Sequence, residues 1–112
     1  MTGVIEIRTY RAKAPMRAPL LDLLRSRALP LQRDLGLKIL GPFPSHEDDV
    51  TFVWLRGFPD AASRVRLKAA FYEGADWLGG LSAEVMPMLD DYGAVVVQDT
   101  IDLWSRWPPE AL

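Results

Sequence analysis

Three side chains capable of chemistry alternate near the start of the chain. Glu6, Arg8 and Tyr10 occupy every second position. Because successive side chains of a β-strand point to opposite faces, this spacing places the carboxylate, the guanidinium and the phenol on one face. The carboxylate or the phenol could transfer a proton, and the guanidinium could stabilise an oxyanion.

A second segment adds aromatic rings to the same kind of pattern. Phe52, Trp54 and Arg56 alternate with Thr51, Val53 and Leu55. Arginine beside aromatic rings suits a small anionic or flat aromatic ligand. The predicted ligand-binding residues are Glu6, Arg8, Tyr10, Trp54 and Arg56. The same residues could instead form a subunit interface, and we favour the interface because buried ion pairs often fix the register of packed elements.

Other chemistries are poorly supported. The single histidine, His46, precedes three acidic residues in a polar loop, but zinc sites usually have more nitrogen or sulfur ligands. The absence of cysteine excludes disulfides, thiolate metal sites and a cysteine nucleophile. We therefore predict no metal and no cofactor, and we interpret this loop as solvated.

Three familiar motifs are incomplete. The segment 80–84 lacks the last glycine of a nucleophile elbow, so we predict that Ser82 is a helix cap. The glycines of 74–80 lack the lysine of a phosphate loop. The tripeptide Arg56-Gly57-Phe58 ends a predicted strand, whereas in RNA recognition modules a Lys/Arg-Gly-Phe tripeptide begins a strand. The net charge of −2 also gives no support to nucleic acid as a partner.

The hydrophobic periodicity predicts the elements that position these side chains. Strands are predicted at 4–10, 37–43, 50–56 and 94–101. The first helix runs to Leu35 with a kink at Pro30, and the second begins after an N-cap at Asp60, with a last helical piece at 83–89. The predicted stripe of the first helix is Leu20, Leu24, Ala28, Leu31 and Leu35, and that of the second is Ala62, Val65, Ala69 and Tyr72.

The order β-α-β-β-α-β predicts an α+β fold, a ferredoxin-like antiparallel sheet with both helices on one face. The leucine stripe requires an apolar sheet face, so we expect Ile5 and Ile7 to lie under the helices. Glu6, Arg8, Tyr10, Phe52, Trp54 and Arg56 would then lie on the uncovered face. Exposed aromatic residues on a sheet usually mark an interface, so we predict a homodimer through this open sheet face.

The composition predicts one domain spanning residues 1–112. Hydrophobic residues make up 49% of the chain and charged residues 25%, which is typical of globular proteins. No apolar run is long enough to cross a membrane, and we expect a cytoplasmic protein. The C-terminal tail, 102–112, contains Trp104 and Trp107, and we predict that it lies at the dimer interface rather than folding back on its own domain.

Short motifs in this order resemble the NIPSNAP family. The segment 5–10 resembles the family's opening E-x-R-x-Y strand, and 29–31 with 35–41 resembles its first helix end and second strand. The segment 58–64 is similar to the entry into its second helix, and Trp77 to the tryptophan after that helix. Together these motifs cover about residues 4–101.

The resemblance implies a dimeric α+β barrel but no common activity. Related barrels include cofactor-independent monooxygenases and haem-degrading enzymes. This chain departs from the family pattern at Pro15-Met16 and at Arg56 and Phe58, and Trp54 replaces a strand histidine often found in such barrels. The last departure argues against a histidine-dependent activity.

Three hypotheses for the function follow. The first is a homodimeric NIPSNAP-like protein that binds a small anionic or aromatic ligand. The second is a cofactor-independent monooxygenase or isomerase acting on an aromatic or polyketide-like substrate, in which Tyr10 and Glu6 would transfer protons and Arg8 or Arg56 would hold an oxyanion. The third is a structural interaction module without a pocket. A cavity of several hundred Å³ beside Arg8 and Trp54 would favour the first two.

Overall fold

A four-stranded antiparallel sheet organises the protein, for which the computed structural model describes residues 3–106. The strands are β1 (Val4–Ala12), β2 (Lys38–Pro44), β3 (Thr51–Phe58) and β4 (Leu89–Gln98). Their order across the sheet is β2-β3-β1-β4. This topology, with the main helices packed on one face, confirms the predicted ferredoxin-like α+β fold.

The helical segments are short and several are joined without a break. They are α1 (Arg17–Leu23), α2 (Leu29–Asp34), α3 (Ala61–Tyr72), α4 (Ser82–Val85) and α5 (Leu103–Arg106). π-helical turns at Leu24–Ala28 and Trp77–Leu81 precede α2 and α4, and a 3₁₀ turn at Met86–Met88 leads into β4. The N-cap at Asp60 is confirmed, since its Oδ1 accepts a hydrogen bond of 2.7 Å from the Ser63 backbone N–H. Ser82, by contrast, makes no capping bond, because the preceding turn is already helical.

The irregularity expected at Pro30 takes the form of a π-helical turn, which shifts the buried face of the helix. Proline cannot donate to the carbonyl four residues earlier, and the wider turn just before α2 accommodates this loss. Because the turn contains an extra residue, Leu29 is buried after it, whereas Leu35 is 41% exposed. The predicted stripe is therefore correct as far as Ala28 and wrong at Leu35.

The last strand begins earlier than the valine-rich stretch predicts. β4 already pairs with β1 at Leu89, and its acidic and glycine residues stand opposite 9–11. It ends at Gln98, so the prediction of a strand through Ile101 is wrong. A strand at the edge of a sheet tolerates the polar residues of 90–93, since its side chains need not enter the core.

The assignment of the two sheet faces from the sequence is wrong. Glu6 and Arg56 are fully buried and form hydrogen bonds or ion pairs with residues of α2 and α3. Ile7, which was expected beneath the helices, is instead 37% exposed on the other face. We name the helix side the covered face and the other side the open face. The covered face holds the set predicted to lie in the open: Glu6, Arg8, Tyr10, Phe52, Trp54 and Arg56.

The open face carries aliphatic side chains in the centre and the C-terminal helix at one end. Ile7 stands opposite Leu55 on β3 and Val95 on β4. Trp104, in α5, is buried and packs on Gly57 so closely that a Cβ there would overlap its indole. The tail thus folds back on its own sheet at Trp104, while the prediction for Trp107 concerns a residue outside the described part of the chain.

Within residues 3–106, no helix has the length and apolar character needed to cross a bilayer.

Candidate functional site

One buried carboxylate on the covered face is surrounded by four cationic side chains. Nη1 of Arg8 lies 3.1 Å from Oε1 of Glu6, and Nε of Arg56 donates to the same oxygen at 2.7 Å. Nε of Arg64 donates to Oε2 at 2.6 Å, and Nζ of Lys68 lies 3.1 Å from it. We call these five residues the ion cluster. It joins β1 and β3 to α3.

The two arginines from the strands also bind neutral side chains. Arg56 donates through Nη1 to Oε1 of Gln32 and to the hydroxyl oxygen of Tyr72, both at 2.9 Å. Arg8 donates through Nη2 to the hydroxyl oxygen of Tyr10 at 2.9 Å. These bonds satisfy most of the buried guanidinium donors, as the burial of charge requires.

Aromatic rings support both guanidinium groups. The carbon of the Arg8 guanidinium lies 5.2 Å from the centroid of the Trp54 ring, and that of Arg56 lies 5.1 Å from it. Trp54 thus forms cation–π contacts with both cations, which are stronger where water is excluded. Tyr10 packs edge-on against Trp54 with ring centroids 5.6 Å apart.

The cluster carries more positive than negative charge. Burial by itself raises the pKa of Glu6, but the charge of Arg56 and the hydrogen bonds from the cations outweigh burial and hold this pKa at about 2. Glu6 is therefore ionised at neutral pH and neutralises one of the four cations around it. Burial lowers the pKa of Lys68, and nearby Arg64 and Arg56 lower it further, against the opposing effect of Glu6.

Helix α3 supplies two charged residues that we did not single out from the sequence, Arg64 and Lys68, together with Tyr72 of the predicted stripe. Arg64, Lys68 and Tyr72 follow one another at intervals of four and so lie on one side of the helix. Their side chains reach the covered face, whereas Val65, a member of the predicted stripe, is 67% exposed. The spacing of 64, 68 and 72 could have indicated the buried side of this helix. We chose the mainly apolar stripe instead, because charged residues are rarely buried.

A cleft of about 400 Å³ opens beside the ion cluster, between the sheet and the segments from α3 to α4. Arg8 and Tyr10 contribute from β1, and Lys68 and Tyr72 contribute from α3. The remaining lining residues are Trp77, Ser82, Val85, Met86, Leu89 and Tyr92. Most of them are apolar or aromatic, which is typical of small-molecule sites.

The five predicted ligand-binding residues do come together, but they do not have equal access to the cleft. Arg8 and Tyr10 line it directly. Glu6, Trp54 and Arg56 lie behind them, where they hold the lining side chains in place through hydrogen bonds, ion pairs and ring contacts. As ligand contacts, these three residues remain a prediction from the sequence.

The site is poorly suited to a metal ion. Residues 3–106 contain no group of three or more histidine, cysteine, aspartate or glutamate side chains placed to hold one. Among the residues that the structure describes, the side chains that line the cleft include two cations and no carboxylate. A cleft with this charge repels cations and attracts anions.

The sequence matches no family model, and no curated protein matches it. Solved structures are informative about the fold. A NIPSNAP family protein from Agrobacterium tumefaciens superposes with a TM-score of 0.78 at 17% identity, covering 89% of this chain and 88% of that chain. A second protein from the same organism, a NIPSNAP family protein with unknown function, gives 0.76 at 21% identity and covers 86% of each chain.

A third similar structure has a name that suggests an activity. It comes from Nitrosomonas europaea, and its name proposes an antibiotic biosynthesis monooxygenase. Its TM-score is 0.71 at 16% identity, covering 89% of this chain and 92% of that chain. These likenesses confirm at the level of the fold the resemblance first found in the sequence motifs: the chain is NIPSNAP-like, a ferredoxin-like α+β domain.

Proposed function

We propose that this protein binds a small organic anion with an apolar or aromatic body in the cleft between the sheet and α3. The observation that carries the proposal is the unequal charge of the ion cluster. Four cations surround one carboxylate, and two of the cations, Arg8 and Lys68, also line the cleft. An anionic group placed there would neutralise charge that Glu6 leaves uncompensated.

One orphan donor supports this position for the anion. Nε of Arg8 is buried and has no hydrogen-bond partner among the described residues. A buried donor without a partner costs about 1–3 kcal/mol, and a ligand oxygen would remove that cost. A cleft of several hundred Å³ beside Arg8 was also the feature expected to favour ligand binding over a structural module without a pocket.

The walls of the cleft suit an apolar or aromatic ligand body. Trp77, Tyr92, Val85 and Met86 also line it. Aromatic rings and a methionine side chain provide broad apolar contacts, while the charged residues determine the orientation of the ligand.

Calorimetric titration with 2-naphthoate tests the proposal. We expect saturable binding of this anion, weaker or absent binding of the neutral 2-naphthalenemethanol, and affinity that falls with added salt. Lys68→Met should weaken 2-naphthoate binding about tenfold or more, since a charge-assisted hydrogen bond is lost.

Lys38→Met is the matched control, because Lys38 is exposed on β2 and is not among the residues that line the cleft. This variant should bind 2-naphthoate as the unsubstituted protein does. Equal affinity for the anion and the alcohol, or equal losses in both lysine variants, would contradict an anion site at this position.

We also propose that two copies pair through the open face, the arrangement that the resemblance to NIPSNAP proteins implies. Ile7, Leu55 and Val95 form an uncharged band across three strands, and Val95 is 62% exposed. An apolar band of this kind on a sheet usually packs against another sheet.

The mass in solution tests the dimer. Sedimentation equilibrium should show a dimer for the protein and a monomer for Ile7→Lys, which places a charge in the centre of the band. Val65→Lys is the control, since Val65 is 67% exposed on the outer side of α3 and lies away from the open face. A monomeric mass for the unsubstituted protein at micromolar concentration would refute the pairing.

The oxygenase or isomerase hypothesis loses one of its two proton-transfer groups. Glu6 has a pKa of about 2, is fully buried and is not among the residues that line the cleft, so it is a poor base. Tyr10 lines the cleft, but burial raises the pKa of its phenol and keeps it protonated. The geometry thus supports binding of an anion better than abstraction of a proton by these two residues.

A further inference from the structure

Two tyrosine hydroxyls at the cleft have their acceptor side occupied by arginine. The oxygen of Tyr10 accepts from Nη2 of Arg8, and the oxygen of Tyr72 accepts from Nη1 of Arg56. A phenol has a single O–H bond, and that proton must point away from an incoming donor. Neither hydroxyl donates to a protein acceptor within residues 3–106, so both protons are free for a ligand.

The two hydroxyls are connected to the same carboxylate through their arginine partners. Arg8 and Arg56 both contact Oε1 of Glu6. Each hydroxyl is therefore linked to this oxygen atom through one guanidinium group. Both residues line the cleft, Tyr10 from the sheet and Tyr72 from α3.

Lys68, a cation that also lines the cleft, can donate hydrogen bonds but cannot accept them. The ammonium group of Lys68 has three N–H bonds and no acceptor, and Glu6 uses one of these bonds at 3.1 Å. Among the residues that line the cleft, Tyr10, Tyr72 and Lys68 thus each keep a hydrogen-bond donor for a ligand. The described part of the chain places no carboxylate side chain in the cleft lining that could accept a hydrogen bond from a ligand hydroxyl.

We propose that the cleft binds a weak aromatic oxygen acid, a phenol or an enol, and that it selects the ionised form of this ligand. The proposal rests on the proposed function, because it specifies which anion the same site holds. The proton leaves to solvent, and the ligand oxygen accepts hydrogen bonds from Tyr10, Tyr72 and Lys68. A neutral phenol would place its own O–H against these donors, which is unfavourable.

The geometry favours a phenolate or enolate oxygen over other anions for a simple reason. Donors from the sheet and from α3 line the same cleft, and a phenolate or enolate oxygen has the lone pairs and concentrated charge that several donors can share. The aromatic rings that line the rest of the cleft suit the planar body of such a ligand.

Spectroscopic titration of 4-nitrophenol tests the selection of the ionised form, because its phenolate is coloured and its phenol is not. At a pH about one unit below the pKa of free 4-nitrophenol, added protein should increase the phenolate absorbance. The pKa of the bound probe should be lower by about one unit or more, which corresponds to phenolate binding about tenfold tighter than phenol. 4-Nitroanisole, which cannot ionise, should bind more weakly than the phenolate.

Variants locate the effect in the donors. Tyr72→Phe removes one hydroxyl and Lys68→Met removes the ammonium group at a partly exposed position, so the second variant remains informative if the first folds poorly. Both should reduce the shift of the probe pKa, and Lys38→Met should leave it unchanged. Circular dichroism of each variant verifies the fold.

The outcomes separate this inference from the proposed function. If 2-naphthoate binds but 4-nitrophenol binds with an unchanged or raised pKa, the selection of phenolate is overturned and the anion site stands. If neither 2-naphthoate nor 4-nitrophenolate binds, both proposals are overturned. A lowered probe pKa that persists in Lys68→Met and Tyr72→Phe would also overturn the inference, since the assigned donors would not be responsible.

Discussion

The two faces of the same sheet are stabilised in different ways. The covered face holds a carboxylate, two arginines and a series of aromatic rings, all buried against helices. The open face carries aliphatic side chains, with Ile7 between Leu55 and Val95 on the neighbouring strands. Hydrophobicity alone would place the aliphatic face inside, and the structure has the reverse arrangement.

The difference shows that satisfied charges can occupy the interior of a small domain when a helix supplies their partners. α3 contributes Arg64 and Lys68, and α2 contributes the Gln32 side chain to Arg56. Burial of charge is costly unless it is paired and hydrogen-bonded, so the covered face depends on the whole network. The open face depends only on apolar packing, which each residue provides nearly independently.

The strongest way to disrupt this comparison is Glu6→Gln. The substitution removes the only carboxylate among four cations and should cost about 3–5 kcal/mol of unfolding free energy, as loss of one partner of a buried ion pair does. That is a large part of the stability of a typical domain. Urea denaturation followed by circular dichroism measures it.

Glu84→Gln provides the matched surface case. Glu84 pairs with Arg27 at 2.6 Å, but both side chains are about half exposed. Its removal should cost no more than about 1 kcal/mol. Similar losses in the two variants would show that the ion cluster does not determine the stability of the covered face.

Acid should reveal the same dependence without a substitution. In the folded protein the pKa of Glu6 is about 2, against 4.5 for the free side chain. Between these values the unfolded chain binds a proton that the folded protein does not, so stability falls as the pH falls from about 4.5 to about 2. Protonation of Glu6 should lower the free energy of unfolding by about 3 kcal/mol in total. Above pH 4.5 this contribution of Glu6 to stability is fully present.

Urea denaturation at several pH values across this window measures the loss. The slope of stability against pH should be reduced in Glu6→Gln by the contribution of one proton. An unchanged slope in that variant would mean that other carboxylates cause the acid sensitivity.

The sequence predicted the elements and the grouping of residues by face, because strand alternation and helix spacing are local properties. Asp60 as N-cap, the irregularity at Pro30 and the common face of Glu6, Arg8 and Tyr10 all follow from such local rules. Which face lies under the helices is not local. It depends on whether partners for Glu6 and Arg56 exist on other elements, and those partners are 16 or more residues away along the chain.

The candidate site was predicted in part for the same reason. The five strand residues were identified, but Arg64 and Lys68 of α3 were missed because the buried stripe predicted for this helix contained no charged residue. The shift of the buried stripe after Ala28 was also unpredictable from periodicity, since a π-helical turn changes the period itself. Charged residues at helical spacing, together with charged residues that alternate along a strand, form the pattern that would have identified the face under the helices.

Gly57→Ala tests how the open face is covered, with a smaller expected effect. Gly57 and Gly93 both lie on this face, on β3 and β4, but only Gly57 has the indole of Trp104 against it. A methyl group at Gly57 overlaps that indole and must displace it, which should cost about 1–3 kcal/mol. The tryptophan fluorescence should shift to longer wavelength as Trp104 becomes exposed.

Gly93→Ala is the control, because nothing lies within 4 Å of a Cβ there. Alanine is better suited than glycine to a strand, so this variant should be neutral or stabilised by about 0.5 kcal/mol. Both variants should be compared at one protein concentration, since pairing of two copies would add to the measured stability. If Gly57→Ala were as stable as Gly93→Ala with unchanged fluorescence, Trp104 would not cover the sheet in solution. The open face would then be uncovered at Gly57 as well, and its contrast with the covered face would be greater than the structure shows.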